Sequence, residues 1–386
     1  MSPPVHTPQA AAASTLPAIV WPSLEREAAF HRWLAGVAPR HGIDIHSLAL
    51  ASSDASFRRY FRVACGNGDG DGDGDGDGHG DHTGGAFNSL IVMDAPPPQE
   101  DVRPFVHVAG LVAQAGLNAP RVLAADAEQG FLLVTDLGRE LYLPALQAAD
   151  APTADQLMRE AVTALVHFQS RVPADSLPPF DEALLAQELA LFPTWCVQRE
   201  FGITWTAAQQ ATWDRITRLL IDSALAQPQV AVHADWMPRN LMCATPPSGQ
   251  LGVLDFQDAV RGPITYDIAS LLRDAFISWE EGQELDWAVR WWQQARQAGL
   301  PLGEDFENDF GETWRALEWM GLQRHLKVMG IFCRLKHRDG KAQYAADLPR
   351  FFSYAQRVAL RYGPLKPLLR LLEPMSGARV GSGFTF

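Results

Sequence analysis

Three oxygen-bearing side chains stand at fixed distances near the middle of the chain. Asp235 follows a β-branched segment, Asn240 comes five positions later, and Asp255 ends an apolar segment fifteen residues after Asn240. For these groups to meet, two short strands have to bracket a tight loop. Phosphoryl transfer needs such a set, because one aspartate orients a hydroxyl while the amide and the second aspartate offer oxygens to Mg²⁺. We therefore predict Asp235, Asn240 and Asp255 as catalytic residues, with Asn240 and Asp255 as metal ligands.

His233 lies two positions before Asp235, in a His-x-Asp pattern that often occurs by chance. Its simplest role is structural, with the ring hydrogen-bonded to a nearby backbone group. The ordered set that begins at His233 continues through Leu-Asp-Phe at residues 254–256 to Gly-Pro-Ile-Thr-Tyr-Asp at residues 262–267. Such an ordered set is more specific than any of its single matches.

This set resembles the aminoglycoside phosphotransferase-like family, which has a protein-kinase-like fold. Within that family, Phe-Gln-Asp-Ala-Val at residues 256–260 and Ser-Leu-Leu-Arg-Asp at residues 270–274 are similar to the bacterial anomeric amino-sugar kinases of cell-wall recycling. Residues 52–62 and 90–97 strengthen the likeness, which extends over about residues 25–360.

The resemblance implies an α+β, two-lobed fold with a small antiparallel-sheet lobe that has one main helix and a larger, mainly helical lobe. It implies ATP and Mg²⁺ as cofactors and the anomeric hydroxyl of N-acetylmuramate or N-acetylglucosamine as the acceptor, with Asp235 orienting that hydroxyl. It also implies that Asp267 braces the catalytic loop, although Asp267 could instead supply the N-terminal charge of a helix. Two alternatives stay open: a kinase for another acceptor, of the aminoglycoside, choline or homoserine type, and a nucleotide-binding pseudokinase.

Apolar periodicity divides the chain into a loose extension at residues 1–22, an N-terminal nucleotide-binding lobe at 23–137 and a C-terminal catalytic lobe at 138–386. The N-terminal lobe is expected to contain helices at 24–38 and 101–115 and strands at about 45–51, 56–64, 88–94, 121–126 and 130–135. Alternating Asp and Gly at residues 66–85 predict a disordered insertion. Beyond residue 138 the period is helical, and helices are expected around residues 157–168 and at 183–200, 206–225, 266–277, 285–298, 306–334 and 344–362. The long pattern at 306–334 is expected to break near Gly311 and Gly330.

Phosphate binding is expected in the N-terminal lobe, where one departure from the wider family stands out. Its third strand, residues 91–94, has no lysine to steady the nucleotide phosphates. We expect serine hydroxyls to cover the phosphates and an arginine to supply the charge, although solvated strand faces are an equal alternative for the arginines. The resemblance places the adenine ring against the backbone near residues 135–137. The predicted cofactor-binding residues are Ser53, Ser56, Arg58, Arg62, Thr135 and Leu137, and Glu100 is a possible ion-pair partner in this lobe.

The acceptor side is predicted from the chemistry of an acidic amino sugar. The lactyl carboxylate of N-acetylmuramate suits arginine, and a pyranose ring suits a flat aromatic face. A tryptophan in a helix more often belongs to the core. The predicted substrate-binding residues are Trp195, Arg199, Trp236, Arg273 and Arg324.

Composition excludes several classes of protein. The net charge is −13 and no basic footprint is present, so a nucleic-acid partner is not expected. No apolar run reaches the roughly 18 residues of a membrane span and no leader segment is recognisable, so we expect a cytoplasmic monomer without a membrane partner. The four cysteines are far apart in the sequence and are predicted to be reduced: Cys65, Cys196, Cys243 and Cys333.

Overall fold

The structure is a computed structural model and describes residues 19–53, 57–66, 88–244 and 249–376. The chain divides into two compact units. The first comprises Met1–Arg103 and Pro120–Asp136, and the second comprises Pro104–Ala119 and Leu137–Phe386. The first contains an antiparallel sheet and the second is mainly helical, which confirms the α+β prediction.

The first unit is a five-stranded sheet with one long helix. Its strands lie in the order β1-β2-β3-β5-β4 and every neighbouring pair is antiparallel. Ser23 caps the helix by accepting a hydrogen bond from the Arg26 N–H at 3.1 Å. The elements are α1 (Leu24–His41), β1 (Ile43–Ser53), β2 (Arg59–Cys65), β3 (Ser89–Asp94), β4 (Val122–Asp126) and β5 (Phe131–Thr135).

The core of this unit is aromatic. Phe30 on α1 contacts Phe61 and Phe131 of the sheet, with ring centroids 5.1 and 5.6 Å apart. Trp21 lies 4.9 Å from Phe30, so the part of the predicted loose extension that the structure describes, residues 19–22, is packed against the core rather than loose. Residues 1–18 and 67–87 are outside the described residues, and the predicted disordered insertion falls there except for residue 66.

Helix α2 (Arg103–Gln114) was expected in the N-terminal lobe, but almost all of it belongs to the second unit. Its buried Phe105 contacts Phe256, with ring centroids 4.8 Å apart. Just after the helix, the Asn118 carbonyl accepts a hydrogen bond from the Val253 N–H at 2.8 Å. Phe105 of α2 and Asn118 after it therefore both contact residues 253–256, the segment that contains the predicted catalytic residue Asp255.

Helices make up most of the second unit. Most predicted helices are present. The helix expected at residues 183–200 is split into an α-helix, Glu182–Leu189, and a π-helical segment, Phe192–Glu200, that begins beside Pro193. The helices at Tyr142–Ala148 and Leu368–Ser376 were not predicted. The remaining helices are α3 (Tyr142–Ala148), α4 (Ala151–Arg171), α5 (Glu182–Leu189), α6 (Ala207–Leu225), α7 (Tyr266–Leu272), α8 (Glu281–Gln297), α9 (Gly303–Asn308), α10 (Phe310–Asp339), α11 (Leu348–Arg361) and α12 (Leu368–Ser376).

The break predicted near Gly311 is confirmed, because α9 ends at Asn308 and Asp309 caps the start of α10. The break predicted at Gly330 is wrong, because α10 continues through it. A Cβ atom at position 330 would lie 2.5 Å from the backbone carbonyl carbon of Leu191. Gly330 therefore serves a close approach between α10 and the segment after α5, rather than a break.

Two short antiparallel ribbons stand between α6 and α7, where the strands bracketing the loop were predicted. Strand β6 (Gln229–Val232) pairs with β9 (Val260–Pro263), and β7 (Leu241–Met242) pairs with β8 (Gly252–Val253). The chain runs from β6 through a loop to β7, and from β8 through a second loop to β9. The two loops contain the three predicted catalytic residues.

All four cysteines have free thiols, as predicted. None of the helices in the described ranges combines the length and the apolar composition needed to cross a bilayer.

Candidate active site

The loop after β6 has a compact, internally bonded backbone. The Met237 N–H donates to the Asp235 carbonyl at 2.9 Å, and the Asn240 N–H donates to the Met237 carbonyl at 2.8 Å within the 3₁₀ turn Pro238–Asn240. Ala234 has φ of 75°, a conformation that residues other than glycine seldom adopt. The surroundings must hold this strained residue in place.

Asp267, in the first turn of α7, holds the strained part of the loop. Its carboxylate accepts hydrogen bonds from the His233 N–H at 2.7 Å and from the Ala234 N–H at 3.1 Å. The side chain is fully buried, and burial raises the pKa of Asp267 to about 7. The expected bracing contact is therefore present. Asp267 also stands in the first turn of a helix, but a charge at the helix N-terminus stays a prediction.

His233 is fully buried and links parts of the same loop. Its Nδ1 accepts a hydrogen bond from the Asp235 N–H at 3.3 Å. Burial lowers the pKa of His233 to about 4, against the opposing effects of the Asp235 charge and the Leu254 backbone. The ring is thus neutral near pH 7, and with Nδ1 as acceptor the proton resides on Nε2. The structure gives His233 the predicted structural role.

Asn240 and Asp255 converge. The Asn240 amide nitrogen donates to the Asp235 carbonyl at 3.0 Å and lies 3.3 Å from Asp255 Oδ2, while the Leu254 N–H donates to the Asn240 carbonyl at 2.9 Å. Asp255, at φ of 61°, is the second strained residue. Gln257 donates to Asp255 Oδ1 at 2.7 Å and fixes that carboxylate from the other side. Gln257 was not among the predicted site residues.

These contacts fit a divalent cation bound mainly by a nucleotide. The Asn240 nitrogen is committed to the Asp235 carbonyl and the Asp255 carboxylate, so the amide oxygen is the atom that this side chain could offer a metal, with Asp255 in contact with the same amide group. Among the described residues no group of three or more His, Cys, Asp or Glu side chains could hold a metal by itself. An amide and a carboxylate suit Mg²⁺, which usually takes one or two protein oxygens and completes its shell with phosphates and water.

Two predicted substrate contacts are wrong. Trp236 is fully buried, with its ring 5.7 Å from Phe168 and 5.4 Å from His233, so it supports the loop from within the core. Arg273 is also buried, and its guanidinium bonds to Glu284 at 3.1 Å and to Glu318 at 2.9 Å. Neither side chain has surface to offer a ligand.

The other three acceptor candidates lie in different settings. Trp195 is half-buried and Arg199 is exposed, both on the π-helical segment. Arg324 is 5% exposed, with its guanidinium carbon 5.0 Å from the centre of the Tyr266 ring. Its charge lowers the pKa of the buried Asp267, against the larger effect of burial. Substrate contacts of these three residues stay predictions.

The arginines predicted to bind phosphate are both ion-paired within the first unit. Arg58 Nε lies 2.9 Å from Glu100, which bears out the expected partner, and Arg62 bonds to Asp136 at 3.0 Å. Ser56 is outside the described residues, and only the backbone of Ser53 is described. Phosphate binding by these four residues stays a prediction.

Thr135 is engaged with a neighbouring segment of the sheet. Its N–H donates to the Arg121 carbonyl at 3.0 Å and its hydroxyl accepts from the Arg121 N–H at 2.9 Å. The Thr135 N–H therefore has no hydrogen bond left for an adenine ring, which corrects that part of the prediction. Leu137 lies beside Gly252 in the second unit, where a Cβ at position 252 would be 2.9 Å from the leucine side chain. Contact between Leu137 and adenine stays a prediction.

Comparison with known proteins agrees with this geometry. A family model described as "Phosphotransferase enzyme family" matches residues 47–306. The chain is 50% identical over 335 residues to the N-acetylmuramate/N-acetylglucosamine kinase of Pseudomonas putida, covering 86% of this chain and 90% of that protein. It is 42% identical over 365 residues to the protein of the same name from Neisseria meningitidis, covering 94% of this chain and 100% of that protein.

Solved structures with low sequence identity share the fold. An ethanolamine kinase of Plasmodium vivax has a TM-score of 0.57 and 9% identity, with 86% of this chain and 87% of that chain covered. An aminoglycoside phosphotransferase in ternary complex with streptomycin and ATP has a TM-score of 0.51 and 14% identity, with 84% and 96% covered. At these identities the likeness establishes the kinase-like fold alone.

Proposed function

This chain belongs to the phosphotransferase enzyme family, and from that premise we propose that it transfers the γ-phosphate of ATP to the anomeric hydroxyl of N-acetylmuramate or N-acetylglucosamine. The observation that carries the proposal is that the Asn240 amide bonds to the Asp235 backbone carbonyl at 3.0 Å and to the Asp255 carboxylate at 3.3 Å, which joins the two loops. Relatives that share half of its residues carry the name of this activity, which supports the choice of acceptor.

In this proposal Asp235 orients the anomeric hydroxyl and accepts its proton as the oxygen attacks the γ-phosphorus. The bond between that phosphorus and the bridging oxygen breaks, and ADP leaves with the electron pair. A hemiacetal hydroxyl is more acidic than an ordinary alcohol, so a carboxylate is a sufficient base. The buried loop contacts fix Asp235 before the substrate arrives, and such positioning supplies much of the catalysis in this chemistry.

Asn240 and Asp255 would hold Mg²⁺ through the amide oxygen and the carboxylate. When bound, the cation would neutralise charge on the phosphates. Gln257 keeps the Asp255 carboxylate in place for that task. In the first unit we propose that Arg58, held by Glu100, supplies the positive charge that a strand lysine provides elsewhere in the family.

The proposal is tested by measuring ATP consumption with each amino sugar and identifying the product by ³¹P NMR. We expect a sugar 1-phosphate, and we expect Asp235→Asn to lower kcat by about 10³-fold while the protein still binds ATP. Asp286→Asn, at an exposed position of α8, is the matched control and should keep wild-type turnover. Absence of sugar-dependent ATP consumption would favour the pseudokinase alternative, and preference for an antibiotic, choline or homoserine would favour another acceptor.

We also propose that the enzyme works as a cytoplasmic monomer on a small molecule, without a nucleic-acid or membrane partner. This rests on the charge and hydropathy of the sequence and stays a prediction.

A further inference from the structure

Gln257 holds one side of the Asp255 carboxylate. Its Nε2 donates to Asp255 Oδ1 at 2.7 Å and lies 3.5 Å from Asp258 Oδ2. Because both neighbours of this nitrogen are carboxylate oxygens, the donor end of the amide must point toward Asp255. The Ala259 N–H donates to the Phe256 carbonyl at 3.0 Å, and this turn keeps Gln257 in position. Oδ1 is therefore held by a donor from the same loop.

The two oxygens of the Asp255 carboxylate face different side chains. Oδ2 lies 3.3 Å from the Asn240 amide nitrogen, whereas Oδ1 receives the shorter bond from Gln257. The same Asn240 amide contains the oxygen that we propose as a metal ligand. A cation shared by Asn240 and Asp255 would therefore meet Oδ2, while the positive end of the Gln257 amide dipole opposes a cation at Oδ1.

The Gln257 amide is held by its donor end alone. The side chain is buried, and its Oε1 has no hydrogen-bond partner anywhere in the described ranges. A buried acceptor without a partner destabilises a fold, and an apolar side chain of similar size would avoid that loss. The amide therefore contributes through the bonds of its nitrogen, of which the bond to Asp255 is the shorter.

We propose that Gln257 leaves Asp255 one oxygen for the nucleotide-bound cation, and that the site thereby selects Mg²⁺ over Ca²⁺. Mg²⁺ requires near-octahedral geometry and keeps phosphate and water oxygens as most of its ligands, so a single carboxylate oxygen suits it. Ca²⁺ takes about six to eight oxygens at longer distances and often binds both oxygens of one carboxylate. This inference rests on the proposed function, because the cation is expected to arrive with ATP.

Gln257→Leu tests the inference, because it removes the donor and nearly keeps the side-chain volume. Binding of the non-hydrolysable ATP analogue AMP-PNP is measured by calorimetry over a range of Mg²⁺ or Ca²⁺ concentrations, without sugar. We expect the dissociation constant for Mg²⁺ to rise about 10-fold, as when a group that orients a metal ligand is lost. The constant for Ca²⁺ should change by less than about 2-fold, because Asp255 can then offer both oxygens. Comparison with the wild type for each metal removes the analogue's own preference between metals.

The chain offers a matched control. Gln323 on α10 is also buried, its Oε1 has no partner within the described part of the chain, and its Nε2 donates to Glu188 at 2.9 Å. Glu188 forms an ion pair with Lys327, with the nitrogen and the oxygen 2.5 Å apart, and these residues have no part in the proposed mechanism. Gln323→Leu should therefore leave both dissociation constants unchanged.

Gln257→Glu is a second variant, which keeps the shape and replaces the donor with a carboxylate, so it tests the inference even if Gln257→Leu folds poorly. Ca²⁺ should bind about 10-fold more tightly than in the wild type, because calcium sites gain affinity with ligand charge, and Mg²⁺ should gain less. Equal changes for the two metals, or no change, in the variants that fold would overturn the inference. A wild-type enzyme that binds AMP-PNP with Mg²⁺ but phosphorylates neither sugar would instead remove the proposed acceptor.

Discussion

The two ends of α7 have buried ionisable side chains whose partners differ. At the N-terminal end, Asp267 bonds to two uncharged backbone N–H groups of the catalytic loop. At the C-terminal end, Arg273 bonds to two carboxylates, Glu284 on α8 and Glu318 on α10. Those carboxylates also bond to Arg357, Arg361 and Tyr362. One end of α7 therefore positions a strained loop, and the other connects helices through charge.

The difference predicts separate consequences when each end is changed. Neutral donors do not fully offset the burial of Asp267, and its pKa is raised to about 7. At the other end, removal of Arg273 takes a cation away from two carboxylates that stay buried, Glu284 and Glu318. Damage at Asp267 should therefore appear in turnover, and damage at Arg273 should appear in stability.

The largest effect is expected for Arg273→Met. Removing the guanidinium takes away the fully buried cation that Glu284 and Glu318 share, while their outer partners Arg357 and Arg361 stay, so the free energy of unfolding should fall by about 3 kcal/mol. Urea unfolding measures this loss, and kcat per folded molecule should stay near the wild-type value. Arg290→Met removes an exposed ion pair on α8 and should cost about 0.5 kcal/mol or less. Equal losses in the two variants would contradict the role given to Arg273.

A smaller effect, on turnover, is expected for Asp267→Asn. Asparagine has nearly the same volume but presents an NH₂ group to one of the two loop N–H donors, so the strained backbone at Ala234 loses a partner. We expect kcat to fall about 100-fold, or about 2.7 kcal/mol in the activation barrier, with little change in the melting temperature. Asp274→Asn is the matched control, because Asp274 is also buried and bonds to two backbone N–H groups, those of Phe276 and Ile277. A similar loss of kcat in both variants would contradict the role given to Asp267 in holding the catalytic loop.

The smallest effect is a change in how stability depends on pH. Asp267 has a pKa of about 7 in the folded protein and 3.8 ordinarily, so between pH 4 and 7 the native state binds the extra proton and this group makes stability fall as pH rises. His233 has a pKa of about 4 in the folded protein and 6.5 ordinarily, so between pH 4 and 6.5 the unfolded state binds the extra proton and stability rises with pH. In the wild type these two contributions oppose each other.

Asp267→Asn removes only the falling contribution. Relative to the wild type, the stability of the variant should therefore increase with pH between 4.5 and 6.5, by about 1.3 kcal/mol per pH unit at most. Urea unfolding at several pH values in this window measures the difference. A difference that does not change with pH would show that Asp267 does not titrate in this range.

The elements that local sequence signals determine were predictable. The helix from residue 24, the break near Gly311 and the ribbons around the catalytic loop were all predicted from apolar periodicity, glycine and short apolar segments. The convergence of Asn240 and Asp255 was predictable as well, because a strand and a tight loop leave few ways to arrange residues so close in the sequence.

Features that depend on distant packing were not predictable. Arg273 and Trp236 have residue types that suit a sugar, but only the neighbouring helices determine that they face the core. Glu188 and Lys327 are far apart in the chain, and no local pattern marks them as partners. Gly330 gave a sequence signal for a break, whereas its function is to admit the Leu191 backbone, a contact that periodicity cannot reveal.

That close approach has a consequence for engineering the second unit. Gly330 sits one helical turn beyond Lys327, and Leu191 follows shortly after Glu188, so the same contact sets the spacing of the two side chains. Any larger residue at position 330 would push against the Leu191 backbone and disturb the ion pair. Mutant libraries should therefore keep glycine at this position, although it makes no polar contact of its own that would mark it for protection.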